Sequence, residues 1–226
     1  MDGRRPTAIM YVNTHVDQPW KEDEYHRWYR DVHFGDVTEP GIFVHAEMFH
    51  NALSPLPAGE GKFLAFYETS WEDVPGAVAA FKRWVDVLFA ERRIHTGTVN
   101  RRFVIMRQLG IHFATQRRRR SQSVIAVHID AQPGRERELR EWYLRTHVPE
   151  TVDLGICHTG SFNERIEPDA FAEVVRPDQP RFMALYESDF GDPVALAGML
   201  AEKLPPDRLP PFVLLRGASF FYRSAP

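Results

Sequence analysis

The chain holds one cysteine, Cys157, in 226 residues. A single thiol excludes an intramolecular disulfide and any zinc or iron–sulfur site built on several cysteines. It fits a reducing, cytoplasmic setting. Excess charge is lacking too: 28 Lys and Arg against 31 Asp and Glu leave a formal net charge of -3. No broad basic field draws nucleic acid or anionic lipid, and neither is expected as a partner. No apolar run approaches the ~18 residues of a membrane span. The start, Met1-Asp2-Gly3-Arg4-Arg5-Pro6, has basic residues without the apolar core of a signal peptide behind them. What is present is ordinary globular composition, 43% hydrophobic, at a length that buries roughly 70% of the unfolded surface without staples.

The sequence repeats itself, and the repeat sets the fold. Trp28-Tyr29-x-x-x-His33 with Gly41-Ile42 returns as Trp142-Tyr143-x-x-x-His147 with Gly155-Ile156, at an offset of 114. Phe63 to Thr69 returns as Phe182 to Ser188 at an offset of 119, and Phe103 to Arg107 matches Phe212 to Arg216 at 109. Each copy opens on a β-rich run, Ala8 to Asn13 or Ser123 to Ile129. A helix follows, with Tyr25, Trp28, Tyr29 and Val32, or Leu139, Trp142, Tyr143 and Thr146, on one stripe. In the first copy, strands at Phe43 to Asn51 and Lys62 to Thr69 flank a Pro/Gly-rich connector, and a helix near Trp71 to Glu91 leads into a strand at Arg101 to Gln108. The order is the split β-α-β-β-α-β motif, twice. The expected fold is α+β: two ferredoxin-like repeats, residues 1–115 and 122–226, form a pseudo-twofold pair with their sheets facing each other across a cavity. Residues 116–121, with Arg117 to Arg120, read as a solvated connector.

Glu24-Tyr25-His26-Arg27-Trp28-Tyr29-Arg30-Asp31-Val32-His33 followed by Pro40-Gly41 resembles the signature of the EthD-like group in the dimeric α+β barrel superfamily. Trp142-Tyr143-Leu144-Arg145-Thr146-His147-Val148-Pro149 is similar to it as well. The resemblance implies a single-chain equivalent of a homodimer, with the helix-end histidine at the site. Similar folds host isomerases, decarboxylases, cyclases, cofactor-free monooxygenases, haem enzymes and simple binders, so fold does not select the reaction.

Strand alternation sorts the candidates. His45, Glu47 and Phe49 share one face of their strand and are expected to point into the cavity, opposite Thr159, Ser161 and Asn163 of the second copy. Tyr67 and Tyr186 are expected to form an aromatic floor, and Arg107 and Arg216, at matched positions, to hold a carboxylate or enolate oxygen. His33 and His147 are acid/base candidates, because imidazole titrates near neutrality and both end a helix facing the expected cavity. His15, His50, His128 and His158 read as structural, and Cys157 as a small buried residue.

His33, His45, Glu47, Tyr67 and Arg107 thus form the expected catalytic set, with His147, Tyr186, Arg216, Thr159, Ser161, Asn163 and Phe49 binding the substrate. The first reading is a cofactor-independent lyase or isomerase, moving a proton beside a carbonyl of a small aromatic or polyketide-like substrate. A second is a haem- or metal-dependent or cofactor-free oxygenase, with His45, Glu47 and a further histidine around one metal ion, or one histidine on haem. A third is a non-catalytic binder of a small apolar ligand. A second copy of the chain, paired through a sheet edge, is the expected macromolecular partner.

Overall fold

The computed structural model describes residues 3–115, 119–166, 169–171 and 179–223. The first half runs β1 (Ala8–Val16), α1 (Glu22–Trp28), a π-helical turn (Tyr29–His33), α2 (Phe34–Thr38), β2 (His45–Asn51), β3 (Phe63–Thr69), α3 (Val74–Ala90) and β4 (Thr98–Phe113). The second half repeats it: β5 (Ser123–Ala131), α4 (Glu136–Trp142), a π-helical turn (Tyr143–His147), α5 (Val148–Asp153), β6 (Thr159–Ile166), β7 (Phe182–Ser188), α6 (Pro193–Lys203) and β8 (Val213–Tyr222). The long helix of each half starts alike. Asp73 accepts from the Gly76 amide at 3.1 Å, and Asp192 from Val194 and Ala195 at 3.0 Å, each with a proline in the first turn.

Each half has the sheet order 4-1-3-2, and antiparallel pairing of β2 with β8 and of β4 with β6 joins them into a closed eight-stranded barrel with helices outside. This is the dimeric α+β barrel architecture. β4 is longer than its sequence pattern suggested, because one end pairs with β1 back to Thr98 while the other continues along β6 to Phe113. The two seams differ: β4 pairs with β6 over eight residues, but β2 pairs with β8 only at His50 and Asn51.

The middle of the space between the sheets is not a cavity. Ile9, Tyr11, Phe49, Leu64, Phe66, Val104, Met106, Val124, Met183, Leu185 and Phe221 fill it as one cluster. The void bounded by Ile9, Phe49, Phe66, Val124, Leu185 and Glu187 measures about 10 Å³. An eight-stranded barrel is just wide enough for its inward side chains to meet.

The register also differs from the one expected. Ala8 pairs with Arg107, and its counterpart Ser123 pairs with Tyr222. The counterpart of Arg107 is therefore Tyr222, not Arg216, and the match at an offset of 109 is six residues out. The run from Phe212 to Leu215 lies beyond a bulge at Arg216, which reverses the faces, so Val213 packs outward where Val104 packs inward. Both halves carry a bulge at one place, with Arg101 and Arg216 as the extra residues.

Candidate active site

The site begins with the two π turns. The amide of Phe34 bonds the carbonyl of Tyr29, and that of Val148 bonds Tyr143, each spanning five residues. This spacing places side chains five apart over one another, which an α-helix does not. Trp28 consequently stacks on His33 with ring centroids 4.3 Å apart, and Trp142 on His147 at 4.6 Å. The Trp-Tyr-x-x-x-His pattern encodes that stack.

In the first half, His33 lines a pocket of about 390 Å³ between the helices and the outer face of the sheet. Met10, Val12 and Phe103 form its sheet side, Trp28, Tyr29 and Val37 its first helical wall, and Phe81, Val85 and Phe89 the wall from α3. The last three lie at i, i+4, i+8, a stripe legible in the sequence. Tyr67 lines it too, its ring 6.0 Å from that of His33 and nearly perpendicular. His33 Nδ1 and the Tyr67 hydroxyl are both buried without a hydrogen-bond partner. Such atoms are rare in folded proteins and call for an explanation.

Burial holds the His33 imidazole down at about 4, Asp36 opposing the shift weakly, so the ring is neutral at pH 7. Burial also pushes the Tyr29 and Tyr67 phenols far above their ordinary range. Below them, the Thr14 and Tyr25 hydroxyls bond at 2.7 Å. The Asp36 carboxylate, buried at 3% exposure, is bound by Arg93, and Trp84 Nε1 donates to the Asp36 carbonyl at 2.6 Å. These contacts tie the helix end that carries His33 to α3. His95, absent from the sequence candidates, also lines the pocket and packs against Trp28 at 5.5 Å. No sequence pattern marks it.

The remaining candidates lie elsewhere. His45, Glu47 and Phe49 do face the barrel interior, but on the opposite side of the sheet from His33 and Tyr67. His45 Nε2 is 3.2 Å from Glu47 Oε1, and Arg223 Nη2 is 3.0 Å from the same oxygen. Burial raises the Glu47 carboxyl, and His45 and Arg223 outweigh it, leaving it at about 2. Among the described residues no group of three His, Cys, Asp or Glu side chains could hold a metal ion. That removes the three-ligand site expected around His45 and Glu47.

Thr159, Ser161 and Asn163 face inward and bond to their own neighbours: Thr159 Oγ1 is 2.9 Å from His158 Nδ1, and Asn163 Nδ2 donates to Ser161 and to the Met183 carbonyl. Phe49 belongs to the barrel core, beneath the Arg223 guanidinium at 4.8 Å. Tyr67 and Tyr186 point outward under the helices, not into a space between the sheets. Arg107 is exposed and outside the His33 pocket, and Arg216 pairs with Asp130 at 2.7 Å. Arg4 binds Glu68, and Ser121 donates to Glu187. Arg117 and Arg118 of the connector lie outside the described residues, while Arg119 pairs with Asp189 at 3.0 Å. Cys157 is buried, which pushes its thiol up to about 12.

No family model matches the sequence, and no curated protein does. Solved structures do match in shape. A candidate chlorite dismutase aligns at a TM-score of 0.60 with 11% identity, over 95% of this chain and 93% of the other. An anthrone oxidase-like protein aligns at 0.54 with 12% identity, over 98% and 93%. A haem-binding protein from Thermus thermophilus aligns at 0.53 with 12% identity, over 96% and 90%, and a candidate monooxygenase from Lactobacillus acidophilus at 0.53 with 10%, over 95% and 92%. At these identities the likeness is one of fold, and the fold shared along nearly the whole chain is the α+β barrel.

Proposed function

We propose that the first-half pocket is the working site and that the chain catalyses cofactor-independent proton transfer, as a lyase or isomerase, on a compact aromatic carbonyl compound. One observation carries this reading: two buried, unpartnered polar atoms, His33 Nδ1 and the Tyr67 hydroxyl, on residues that line the same apolar pocket. A substrate carbonyl and its adjacent C–H supply what each lacks. The neutral imidazole takes the proton, and the phenol donates to the developing oxyanion. The aromatic walls hold a planar skeleton and keep water out. The EthD-like resemblance of the helix-end histidine motif agrees with the same pocket.

Haem, named among the structural neighbours, fits these residues poorly. His33 could face an iron, but two propionates need cationic partners. Lys82 in the lining is held by Asp86 at 2.6 Å, and Arg93 nearby is held by Asp36.

Deuterium exchange in D₂O tests the reading, with enolisable aromatic ketones such as hydroxylated tetralones as probes. Enzyme-catalysed exchange beside the carbonyl, lost in His33→Gln, is expected. Tight binding without exchange identifies a binder instead. Oxygen uptake that accompanies exchange identifies an oxygenase using the same base, the reading that the monooxygenase-like neighbours favour.

A further inference from the structure

A second pocket lies at one mouth of the barrel, on the inner side of the sheet. It has a volume of about 590 Å³, and its lining includes Arg102, Arg165, Arg181, Arg216, His128 and Gln179. The inward rows that fill the barrel middle with apolar side chains end here in guanidinium groups: Val104 and Met106 are followed outward by Arg102, and Ser161 and Asn163 by Arg165. Asp130 is the one carboxylate among these lining residues.

Carboxylates orient three of these arginines. Arg216 Nε bonds Asp130 at 2.7 Å, Arg102 Nη2 lies 3.2 Å from Glu60, and Arg181 Nη2 lies 2.8 Å from Glu164 and Nη1 3.9 Å from Glu136. Glu164 is shared with Arg140 at 2.6 Å, and Glu60 also accepts from Ser219 at 2.8 Å. Among the described lining residues, four guanidinium groups stand with one carboxylate, Asp130. Arg165 donates to the Gln179 backbone carbonyl, which fixes that fork beside the pocket. His128 is 4% exposed and accepts from Arg102, so a neutral imidazole forms part of the floor.

Gln179 is the second, independent sign of a ligand. It is 8% exposed and lines the pocket, yet neither its amide nitrogen nor its amide oxygen has a hydrogen-bond partner. A buried carboxamide with both ends unpaired is costly unless something else completes it. Guanidinium forks and an amide around one open space are the donor set that matches a planar or tetrahedral oxyanion.

We propose that this barrel-mouth pocket binds a small ligand through an oxyanion, a carboxylate or a phosphate, as a site separate from the His33 pocket. The two sites share β4 but lie on opposite faces of it, Arg102 lining one and the adjacent Phe103 the other. The His33 pocket takes the uncharged aromatic substrate; the mouth takes an anion.

Isothermal titration of the full chain with succinate, inorganic phosphate and pyrophosphate tests this. Saturable binding with Kd below about 1 mM is expected for at least one probe, weakened about tenfold or more by Arg181→Ala and by Gln179→Glu. Gln179→Glu has the same size and sets a carboxylate against the anion, and its circular dichroism and melting curve confirm folding. Binding of succinate alone assigns a carboxylate ligand, and binding of the phosphates alone assigns a phosphoryl group. His33→Gln leaves this binding unchanged, which separates the site from the proton-transfer reading. Absence of saturable binding by all three probes, or binding untouched in both folded variants, overturns the proposal.

Discussion

The two halves use one device to opposite ends. Each stacks a tryptophan on a histidine across a π turn, and each places a tyrosine beside that histidine, Tyr67 at 6.0 Å and Tyr186 at 6.4 Å. Only the space around the device differs. In the first half it is a pocket. In the second, Phe162 stands where the first half has Met48 and stacks flat on Tyr143 at 4.4 Å and on Phe182 at 5.5 Å. Gly160 stands where the first half has Ala46, and α5 settles onto it: a Cβ there would meet Val148 and Val152 at 2.9 Å. Leu144 likewise reaches to within 2.5 Å of where a Cβ on Gly110 would lie. α6 has 11 residues against 17 in α3, so it lacks the length that supplies Phe89 to the first-half pocket. A duplicated device therefore faces open space in the half where the layers stand apart and becomes packing in the half where small residues let them close.

The sharpest way to break this comparison is to remove one histidine at a time. His33→Gln is expected to lower the rate of proton exchange by about 100-fold or more, the scale of a lost general base. His147→Gln is expected to leave the rate within about twofold, since Phe162 stacks on Tyr143 and α5 closes onto Gly160 beside it. Equal losses would mean that both halves work. The pH profile gives the same test a second reading. His33 is a base only when neutral, and burial holds it at about 4, so kcat/KM of the free enzyme is expected to fall as pH drops through about 4 and to stay flat through 6.5.

Packing supplies the next effect in size. Gly160→Ala forces a methyl against Val148 and Val152 and is expected to destabilise the fold by about 1–3 kcal/mol, as overpacking does. The mirror change, Ala46→Gly, is expected to cost less, about 1 kcal/mol, from backbone freedom alone. Chemical denaturation of the two variants measures both. Equal costs would show that the helices of the two halves sit equally close to their strands. Acid loads the two halves alike: His33 and His147 are both near 4 when folded, against 6.5 as the ordinary value. The unfolded chain binds those protons first, so stability is expected to be intact above 6.5 and lost as pH falls from 6.5 toward 4. Each His→Gln change should flatten that loss in a denaturation series.

The fold was legible because two periodicities and a repeated Trp-Tyr-x-x-x-His motif constrain the same elements. The strand faces of His45, Glu47, Thr159, Ser161 and Asn163 followed from alternation alone. Tyr67 was placed on the wrong side because a row of Phe63, Ala65 and Tyr67 is as apolar as the row of Leu64 and Phe66 beside it. A strand buried on both faces gives no signal for which side meets the helices. The pairing of Arg107 with Arg216 failed because two short apolar runs that end in arginine look alike, and nothing local marks the bulge that separates them. The pocket itself depends on how far α2 and α3 stand from the sheet, which residues on several elements decide jointly and no local spacing records.

The smallest expected effect compares the two bulge arginines. Arg101 Nη2 lies 3.1 Å from His15 Nε2, and Arg216 Nε bonds Asp130 at 2.7 Å; His15 and Asp130 occupy equivalent positions on β1 and β5. Asp130→His gives the second half the arrangement of the first. The Arg216 side chain is 54% exposed, so the ion pair is well screened and its loss is expected to cost under about 1 kcal/mol of stability, less still in high salt. The same change removes the carboxylate from the barrel-mouth lining and frees the Arg216 fork, so anion binding there is expected to tighten while stability barely moves. A large loss of stability would instead mean that the pair holds the bulge in place, and that the two bulges, alike in register, are kept by different forces.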